Sequence, residues 1–412
     1  MSRNFLYIGV IVLTFTMLVV GCGQSFDGQL RGVENRPSWT GINPYGMVYI
    51  PSGTLTIGQS DEDIFNSFIQ RPMTVSIPGF YMDDTEITNN EYRQFVYWVR
   101  DSIAHTLLDH FYVDERGNER LDWEFNIDWR DEMLEPMFVP AELTVNRRRA
   151  YDVSMFNYEY RWIDWQRAAH DRNATINDLV NIESVNIYPD TLVWIRDFAY
   201  SYNEPMARNY FSHPAYDDYP VVGVSWKMAK AFSHWRTQMW DAFRPHEPNS
   251  EDFRLPTEFE WEYAARGGRD LAPYPWGAYN LRNAKGCLLG NFKPGRGNYP
   301  EDGGMYTVNA YMYFPNDYGL YNMAGNVAEW TETAYDPSAY SYIHDLSPDI
   351  KYDAQPDDPE AFKRKVVRGG SWKDVGYYLQ TGTRTYEYQD TTKSYIGFRN
   401  VLTFLGRSID DF

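Results

Sequence analysis

The sequence is short of three things, and each shortage excludes a class of protein. It has two cysteines in 412 residues, which excludes a disulfide framework and a cysteine-rich zinc module. Its seven histidines are scattered, and none forms the HExxH pair of a zinc hydrolase. Basic residues are scarce, since 38 Lys and Arg face 57 Asp and Glu and the formal net charge is −19. Nucleic-acid binding needs a basic surface, so we expect no nucleic-acid partner.

Apolar and aromatic residues are plentiful by comparison. Hydrophobic residues make up 43% of the chain and aromatic residues 17%. That composition is enough to bury a sizeable core, and it excludes wholesale disorder. By the usual relation between length and domain number, 412 residues suggest two or three domains.

The first 21 residues have the features of a secretory signal peptide. One positive side chain, Arg3, precedes an apolar stretch over residues 5–20. That stretch is shorter than the roughly 20 residues that a membrane-spanning helix needs. A positive start and a short apolar middle are typical of a signal that is removed after export. The sequence therefore predicts a signal peptide over residues 1–21.

The residues that follow indicate a lipid anchor. The run Val-Val-Gly that ends at Cys22 resembles the lipobox of bacterial lipoproteins. The resemblance implies that the cysteine sulfur is diacylated, and two or more acyl chains give stable anchoring. The residue after Cys22 is Gly23 rather than an aspartate. By resemblance to the sorting rules for such lipoproteins, this favours the outer membrane over retention in the inner membrane. Residues 22–44 are then a glycine- and proline-containing tether. The alternative is an ordinary signal peptide that happens to contain a cysteine.

Local patterns place two strands and three helices in the rest of the chain. Residues 47–50 and 54–58 predict a strand, a turn and a second strand. Helices are predicted to begin at Thr88, Ser225 and Thr257, and each threonine is followed three residues later by a glutamate, which is a capping box. The inward stripe predicted for the first helix is Tyr92, Phe95, Val96, Val99 and Ile103.

A block of about a hundred residues, 104–200, separates the first two helices. Its mixed charges and many aromatics indicate a folded insertion rather than a linker. Its five tryptophans are Trp123, Trp129, Trp162, Trp165 and Trp194. Two interpretations stay open, because aromatic side chains are favoured both in protein interfaces and in cores. The tryptophans either contact a partner or pack down onto the domain.

Seven ordered motifs then carry a family resemblance. They are MVYIPSG (47–53), TEITNNEY (85–92), PVVGVSW (220–226), RLPTEFEWEYAAR (254–266), GLYNMAGNVAEW (319–330), RGGSW (368–372) and GFR (397–399). This succession resembles the formylglycine-generating-enzyme, or sulfatase-modifying factor, family. The resemblance implies an α+β, loop-rich fold related to C-type lectins. It also implies a single domain over residues 45–407 with the insertion at about 104–200, rather than two or three domains.

The resemblance also bears on catalysis. Enzymes of that family oxidise a substrate cysteine to formylglycine with two active-site cysteines that hold copper(I), an ion suited to soft thiolates. The matching positions here are Asp374 and Leu379. The other thiol, Cys287, lies in a different motif, and we expect it to be a buried cysteine with a packing role. We therefore expect no catalytic residue, no required cofactor and no copper-dependent oxidation.

Some members of the family bind calcium, and three residues here match their ligands. Asn326 and Glu329 match one site, and Asp302 matches a carboxylate of a second site. Oxygen atoms of this kind are what Ca²⁺ accepts, and an ion could hold an irregular loop in place. The resemblance therefore implies a structural Ca²⁺. The alternative is that Asn326 and Glu329 only hydrogen-bond the loop.

A narrower resemblance combines the lipobox with the missing thiols. The run KGCLL (285–289) and the segment 291–299 resemble the GldK/PorK lipoproteins of the gliding and type IX secretion apparatus of Bacteroidetes. Those proteins form rings with a soluble GldN/PorN-type periplasmic partner. The resemblance implies a non-catalytic structural subunit at the periplasmic face of the outer membrane, with self-association in a ring. The sister lipoprotein GldJ shares the domain type and is the nearest alternative.

Two other functions are alternatives to that of a structural subunit. The first is an active enzyme with altered chemistry that uses Asp374, since perturbed carboxylates can transfer protons. The second is a ligand-binding lipoprotein, since lectin-like folds often present aromatic loops to sugars or peptides. A turnover assay separates the first from a structural subunit, and glycan binding without a protein partner would favour the second.

Overall fold

The computed structural model describes most of the chain after the predicted tether. The described residues are 43–406, except for 60–69, 115–116, 145–146, 148, 198–204, 245–250, 296–299 and 301–303. The predicted signal peptide, Cys22 and Asp302 lie outside the described residues. Residues 41–412 form one unit, and the exact domain limits stay predictions.

The described part of the chain mixes helices and strands in sequence order. The α-helices are α1 (Asn89–Leu107), α2 (Trp165–His170), α3 (Ile176–Leu179), α4 (Val193–Asp197), α5 (Pro205–Asn209), α6 (Trp226–Ala242) and α7 (Glu258–Arg266). The strands are β1 (Met47–Ile50), β2 (Gly53–Ile57), β3 (Met73–Ile77), β4 (Phe80–Asp83), β5 (Phe111–Val113), β6 (Glu119–Leu121), β7 (Asn157–Ile163), β8 (Val180–Asn186), β9 (Ala328–Ala334), β10 (Arg364–Arg368), β11 (Thr385–Tyr388), β12 (Ile396–Gly397) and β13 (Val401–Thr403). Over the residues described, no helix is both long enough and apolar enough to cross a bilayer.

Helices α1, α6 and α7 begin where the capping residues in the sequence predict. Thr88 and Glu91 close a reciprocal capping box at the start of α1. The hydroxyl of Ser225 accepts a hydrogen bond from the Met228 N–H at the start of α6. Thr257 caps α7, which ends at a glycine in the left-handed conformation. Capping side chains satisfy backbone N–H groups that the first turn leaves free, so these starts could be read from the sequence.

Among the described residues, the strands form two main sheets and three two-stranded sheets. One sheet has the order β1-β4-β13, and the other has the order β11-β10-β9-β12 with β12 parallel to β9. The strands predicted at 47–50 and 54–58 both exist, but they pair with different partners. β1 pairs with β4, and β2 pairs with β3. Turn signals show that a chain bends, whereas the partner of a strand depends on what lies beside it in space.

An aromatic core joins α1, α6 and the insertion. Of the stripe predicted for α1, Ile103 is partly buried and the other four side chains are buried. The Phe95 ring lies 5.2 Å from the Tyr158 ring of β7 and 5.8 Å from the Phe232 ring of α6. These are distances at which aromatic rings attract one another beyond their area of burial. The insertion is therefore folded and packed onto the two long helices.

The insertion tryptophans divide between the two interpretations. Trp194 is buried, and Trp129 and Trp162 are partly buried against the core. Trp123 stacks on Trp98 of α1 yet is 45% exposed, and Trp165 at the start of α2 is 71% exposed. Packing therefore accounts for three of the five, and two remain available for contact with other molecules.

Helix α7 buries three glutamates along its length. Glu258 accepts hydrogen bonds from Arg384 at 2.6 and 2.8 Å, and Glu262 pairs with Arg266 at 2.6 Å. A buried carboxylate is costly unless it is paired, so each needs a cationic partner. Arg254 supplies the partner of Glu260 at 2.7 Å. The pairs with Arg384 and Arg254 tie α7 to other stretches of the chain, whereas the Glu262–Arg266 pair lies within the helix.

Candidate functional site

A tight turn at Gly325 and Asn326 organises the region that contains most of the predicted site residues. Gly325 has φ +84°, and a β-carbon there would lie 2.5 Å from the carbonyl oxygen of Asn291, so only glycine fits. Asn326 also has a positive φ of +63°. Its N–H donates to the Asn291 carbonyl at 2.8 Å, and its own carbonyl accepts from the Trp372 N–H at 2.9 Å. The turn thus joins three separate stretches of chain.

The Asn326 side chain is fully occupied by neighbouring groups. Its Oδ1 accepts a hydrogen bond from the Val308 N–H at 2.9 Å, and its Nδ2 donates to Oε1 of Glu86 at 3.0 Å. Glu86 is completely buried and also accepts from Asn322 at 3.1 Å. Burial raises the pKa of Glu86 to about 8, although Arg399 nearby opposes the shift.

Glu329 lies at the centre of a buried ion pair. Its two carboxylate oxygens accept hydrogen bonds from Nε and Nη2 of Arg399 at 2.8 and 2.6 Å. The Trp261 indole N–H donates to the same carboxylate at 2.7 Å. Arg399 also donates to the carbonyl oxygens of Asp83 and Tyr321 at 3.0 and 2.9 Å. A planar guanidinium suits this bidentate geometry, and the pair connects β9 to the β4 and β12–β13 region.

These contacts bear on the predicted calcium site. Ca²⁺ takes six to eight oxygen ligands, yet the side-chain oxygens of Asn326 and Glu329 already accept N–H groups. In the part of the chain that is described, no three or more His, Cys, Asp or Glu side chains come together in a way that could hold a metal ion. The geometry favours the alternative, in which the two residues hydrogen-bond the loop. Calcium binding through them stays a prediction, and Asp302 lies outside the described residues.

The resemblance matches Asp374 and Leu379 to the thiols of the family enzymes, and both side chains make contacts that stabilise the fold. Oδ2 of Asp374 accepts hydrogen bonds from the N–H and the hydroxyl of Ser371 at 3.0 and 2.5 Å, which closes a turn. Leu379 is completely buried in an apolar cluster. The other members of that cluster are Tyr274, Leu288, Phe292 and Ala324. A carboxylate and an aliphatic side chain do not fit copper(I), which prefers soft sulfur ligands.

The Cys287 side chain lies at the surface rather than in the interior. The expectation of a buried cysteine is wrong, since the side chain is exposed and free. Asn283 explains the position, because its Oδ1 accepts the N–H groups of Lys285 and Cys287 at 2.9 and 3.0 Å. This small side-chain-capped loop turns Cys287 outward and leaves Leu288 to enter the apolar cluster.

Two buried charged residues that hold the region together, Glu86 and Arg399, were not among the predicted site residues. Glu86 and Arg399 both lie inside motifs that were recognised, but neither was singled out as a buried group. The signal that could have found them is a charged residue directly beside an apolar one, as Arg399 follows Phe398 and Glu86 precedes Ile87. A charge in that setting needs a buried partner, although the sequence does not identify which one.

Comparison with known proteins agrees with this architecture. A family model described as the sulfatase-modifying factor enzyme 1-like domain matches residues 37–404. The chain therefore belongs to the sulfatase-modifying factor family, and it has the mixed α/β, loop-rich fold expected for that family.

Relatives of this chain include both enzymes and a protein named as inactive. The formylglycine-generating enzyme of Thermomonospora curvata is 28% identical, over 86% of this chain and 92% of its own length. That of Mus musculus is 26% identical, over 86% of this chain and 74% of its own length. The inactive C-alpha-formylglycine-generating enzyme 2 of Bos taurus is 34% identical over 44% of this chain and 50% of its own length. Among solved structures, PvdO from Pseudomonas aeruginosa is 16% identical, with a TM-score of 0.47 over 87% of this chain and 94% of that one.

Proposed function

We propose that this chain is a non-catalytic member of its family that serves as a lipid-anchored structural subunit of a cell-envelope assembly. The assembly is of the type IX secretion and gliding kind, in which a ring forms with a GldN/PorN-type periplasmic protein. The observation that carries the non-catalytic part is the burial of Leu379 in an apolar cluster. By the resemblance of motifs, this position corresponds to a copper-binding cysteine of the family enzymes. Asp374, at the other position, is engaged by Ser371.

The envelope role is supported by other features of the chain. The lipobox-like run that ends at Cys22 supports an anchor, and the net charge of −19 would attract a basic partner and repel acidic ones. Trp165 is exposed on the insertion, and aromatic side chains of this kind are enriched in protein interfaces. A ring further requires head-to-tail contacts that close by rotation.

The first test concerns copper and turnover. We expect the purified chain to convert no cysteine-containing peptide to formylglycine in the presence of Cu(I) and oxygen, because no thiol pair can hold the ion. Any Cu(I) that the protein takes from a competing chelator through Cys287 should be lost in Cys287→Ser, since this thiol is exposed. Turnover measured by peptide mass would contradict the proposal. If Asp374→Ala abolished that turnover, the altered-enzyme alternative would replace it.

The second test concerns the anchor and the assembly. We expect Cys22→Ser to move the protein out of the membrane fraction, because acyl chains supply the membrane affinity. Cys287→Ser is the matched control, and it should fractionate like the unsubstituted chain. Gentle detergent extraction of the native membrane should yield a high-mass particle that contains a basic periplasmic protein. A membrane-bound Cys22→Ser variant would defeat the anchor, and a monodisperse monomer from the native membrane would defeat the ring.

A further inference from the structure

A cleft of about 880 Å³ lies apart from the region around Asn326 and Glu329. Its walls are the insertion hairpin β7–β8, helix α6, the stretch 251–255 and the stretch 351–355. The volume is within the range of about 300–1,000 Å³ that ligand sites usually have. None of the residues matched to the family's thiols or calcium ligands lines it.

Three contacts between β7 and α6 show how the strand is oriented relative to the helix along the cleft. The Tyr158 hydroxyl donates to Gln238 at 3.0 Å, and the Tyr160 ring stacks on His234 at 4.4 Å. Further along, Nζ of Lys230 lies 5.4 Å from the Trp162 ring. The strand therefore runs antiparallel to the helix over eight helical residues, or about 12 Å at 1.5 Å per residue.

The charges beneath the middle of the cleft are paired. Nζ of Lys230 lies 3.1 Å from Asp353 and 3.4 Å from Glu332. Asp353 also pairs with the buried Lys365 at 3.4 Å. A third carboxylate, Glu183, accepts hydrogen bonds from Tyr160 and Trp162 at 2.7 and 3.1 Å. Burial lowers the pKa of His234 to about 4, so this side chain is neutral near pH 7.

The two ends of the cleft differ in the charges that line them. At the Trp162 end, the chain continues into α2, and Arg161 and Arg167 line the opening beside the exposed Trp165. At the other end are Glu251 and Asp252. Three further charged lining residues have partners of their own, since Asp164 accepts the Arg167 N–H at 2.9 Å, Arg254 pairs with Glu260 at 2.7 Å and Lys351 pairs with Asp349 at 3.2 Å.

The acidic end is located by a backbone contact to α6. The Phe253 N–H donates to Oγ1 of Thr237 at 2.9 Å, which places the stretch 251–253 beside the later part of the helix. Burial raises the pKa of Asp252, and the carboxylates of Asp241 and Glu251 add to the shift. A cation bound here would relieve that repulsion.

We propose that this cleft binds an extended segment of a partner polypeptide that carries a cationic and an anionic side chain about 13 Å apart. At about 3.3 Å per residue, that separation corresponds to two side chains four residues apart, which lie on the same face of an extended segment. The cationic side chain would face Glu251 and Asp252, and the anionic one would face Arg161 and Arg167. A neutral glycan could stack on Trp165, but it would desolvate both charged ends without compensating them. The inference stands independently of the proposed envelope role.

Labelled peptides with the core Lys-Ala-Ala-Ala-Glu and the reversed core Glu-Ala-Ala-Ala-Lys test this site by fluorescence anisotropy on the full chain. At least one of them should bind about tenfold more tightly than Gln-Ala-Ala-Ala-Gln, and the difference should shrink in high salt. The paired variants Arg161→Gln with Arg167→Gln, and Glu251→Gln with Asp252→Asn, should each remove this advantage. Arg130→Gln with Glu124→Gln is the matched control, because both residues are exposed and neither lines the cleft, and it should bind as the unsubstituted chain does.

Two results would overturn the proposal. One is equal binding, or equal lack of binding, of the charged and neutral peptides up to millimolar concentration. The other is binding of a neutral N-acetylglucosamine tetrasaccharide that Trp165→Ala removes while no charged peptide binds, which would make the cleft a glycan site. If a paired variant fails to give the circular dichroism spectrum of the folded chain, the single variants Arg161→Gln and Glu251→Gln decide the question.

Discussion

Replacing Arg399 with methionine is expected to lower the free energy of unfolding by about 3–5 kcal/mol. The substitution leaves the buried carboxylate of Glu329 without its cation, and it also removes the donors to the Asp83 and Tyr321 carbonyl oxygens. An uncompensated buried charge is far more costly than the net contribution of the intact pair. Urea unfolding followed by circular dichroism would measure the change.

The controls for this prediction are a surface arginine and a double variant. Arg130→Met, on an exposed side chain, should change stability by less than about 0.5 kcal/mol. Arg399→Met combined with Glu329→Met should cost less than the sum of the two single substitutions, because the double variant leaves no unpaired charge. An additive double variant, or a loss under 1 kcal/mol for Arg399→Met alone, would show that the pair is not a structural centre.

Replacing Phe95 with alanine is expected to lower the free energy of unfolding by about 3–5 kcal/mol. The ring is buried, and it contacts Tyr158, Phe232 and Trp235 at centroid distances of 5.2, 5.8 and 5.2 Å. Its loss removes apolar burial and leaves a cavity where the insertion meets α1 and α6. Denaturant unfolding would again report the change.

The same variant should weaken the attachment of the insertion. Limited proteolysis should cut Phe95→Ala within residues 104–200 faster than the unsubstituted chain, because cleavage follows the population of locally opened states. Phe314→Ala is the matched control, since Phe314 is 86% exposed, and it should alter neither stability nor cleavage. Unchanged cleavage together with a small stability loss would mean that the insertion does not depend on this core.

Much of the local structure could be predicted because its causes are local. Thr88 and Thr257 cap their helices through atoms three residues away, and the α1 stripe follows from helical periodicity. The order of motifs was likewise sufficient to identify the family, which the match over residues 37–404 shows. The absence of cysteine from residues 372–399 is visible in the sequence alone.

The pairing of distant groups could not be predicted in the same way. β1 follows directly before β2 in the chain, yet its partner is β4, and Cys287 is exposed because Asn283 shapes its loop. The carboxylate of Glu329, whose motif implies a calcium ligand, accepts hydrogen bonds from Arg399 and Trp261, and neither partner could be read from that motif. Each of these outcomes depends on residues far apart in sequence, whose proximity no local pattern encodes.

The sequence by itself determined the family and the helix starts, because these depend on the order of motifs and on neighbouring residues. Only the tertiary structure decided which charges are paired in the interior, which insertion tryptophans are exposed and that a cleft with oppositely charged ends runs along α6. The physical reason is that burial and long-range pairing set the energy of a charge, and both arise only when the whole chain has folded.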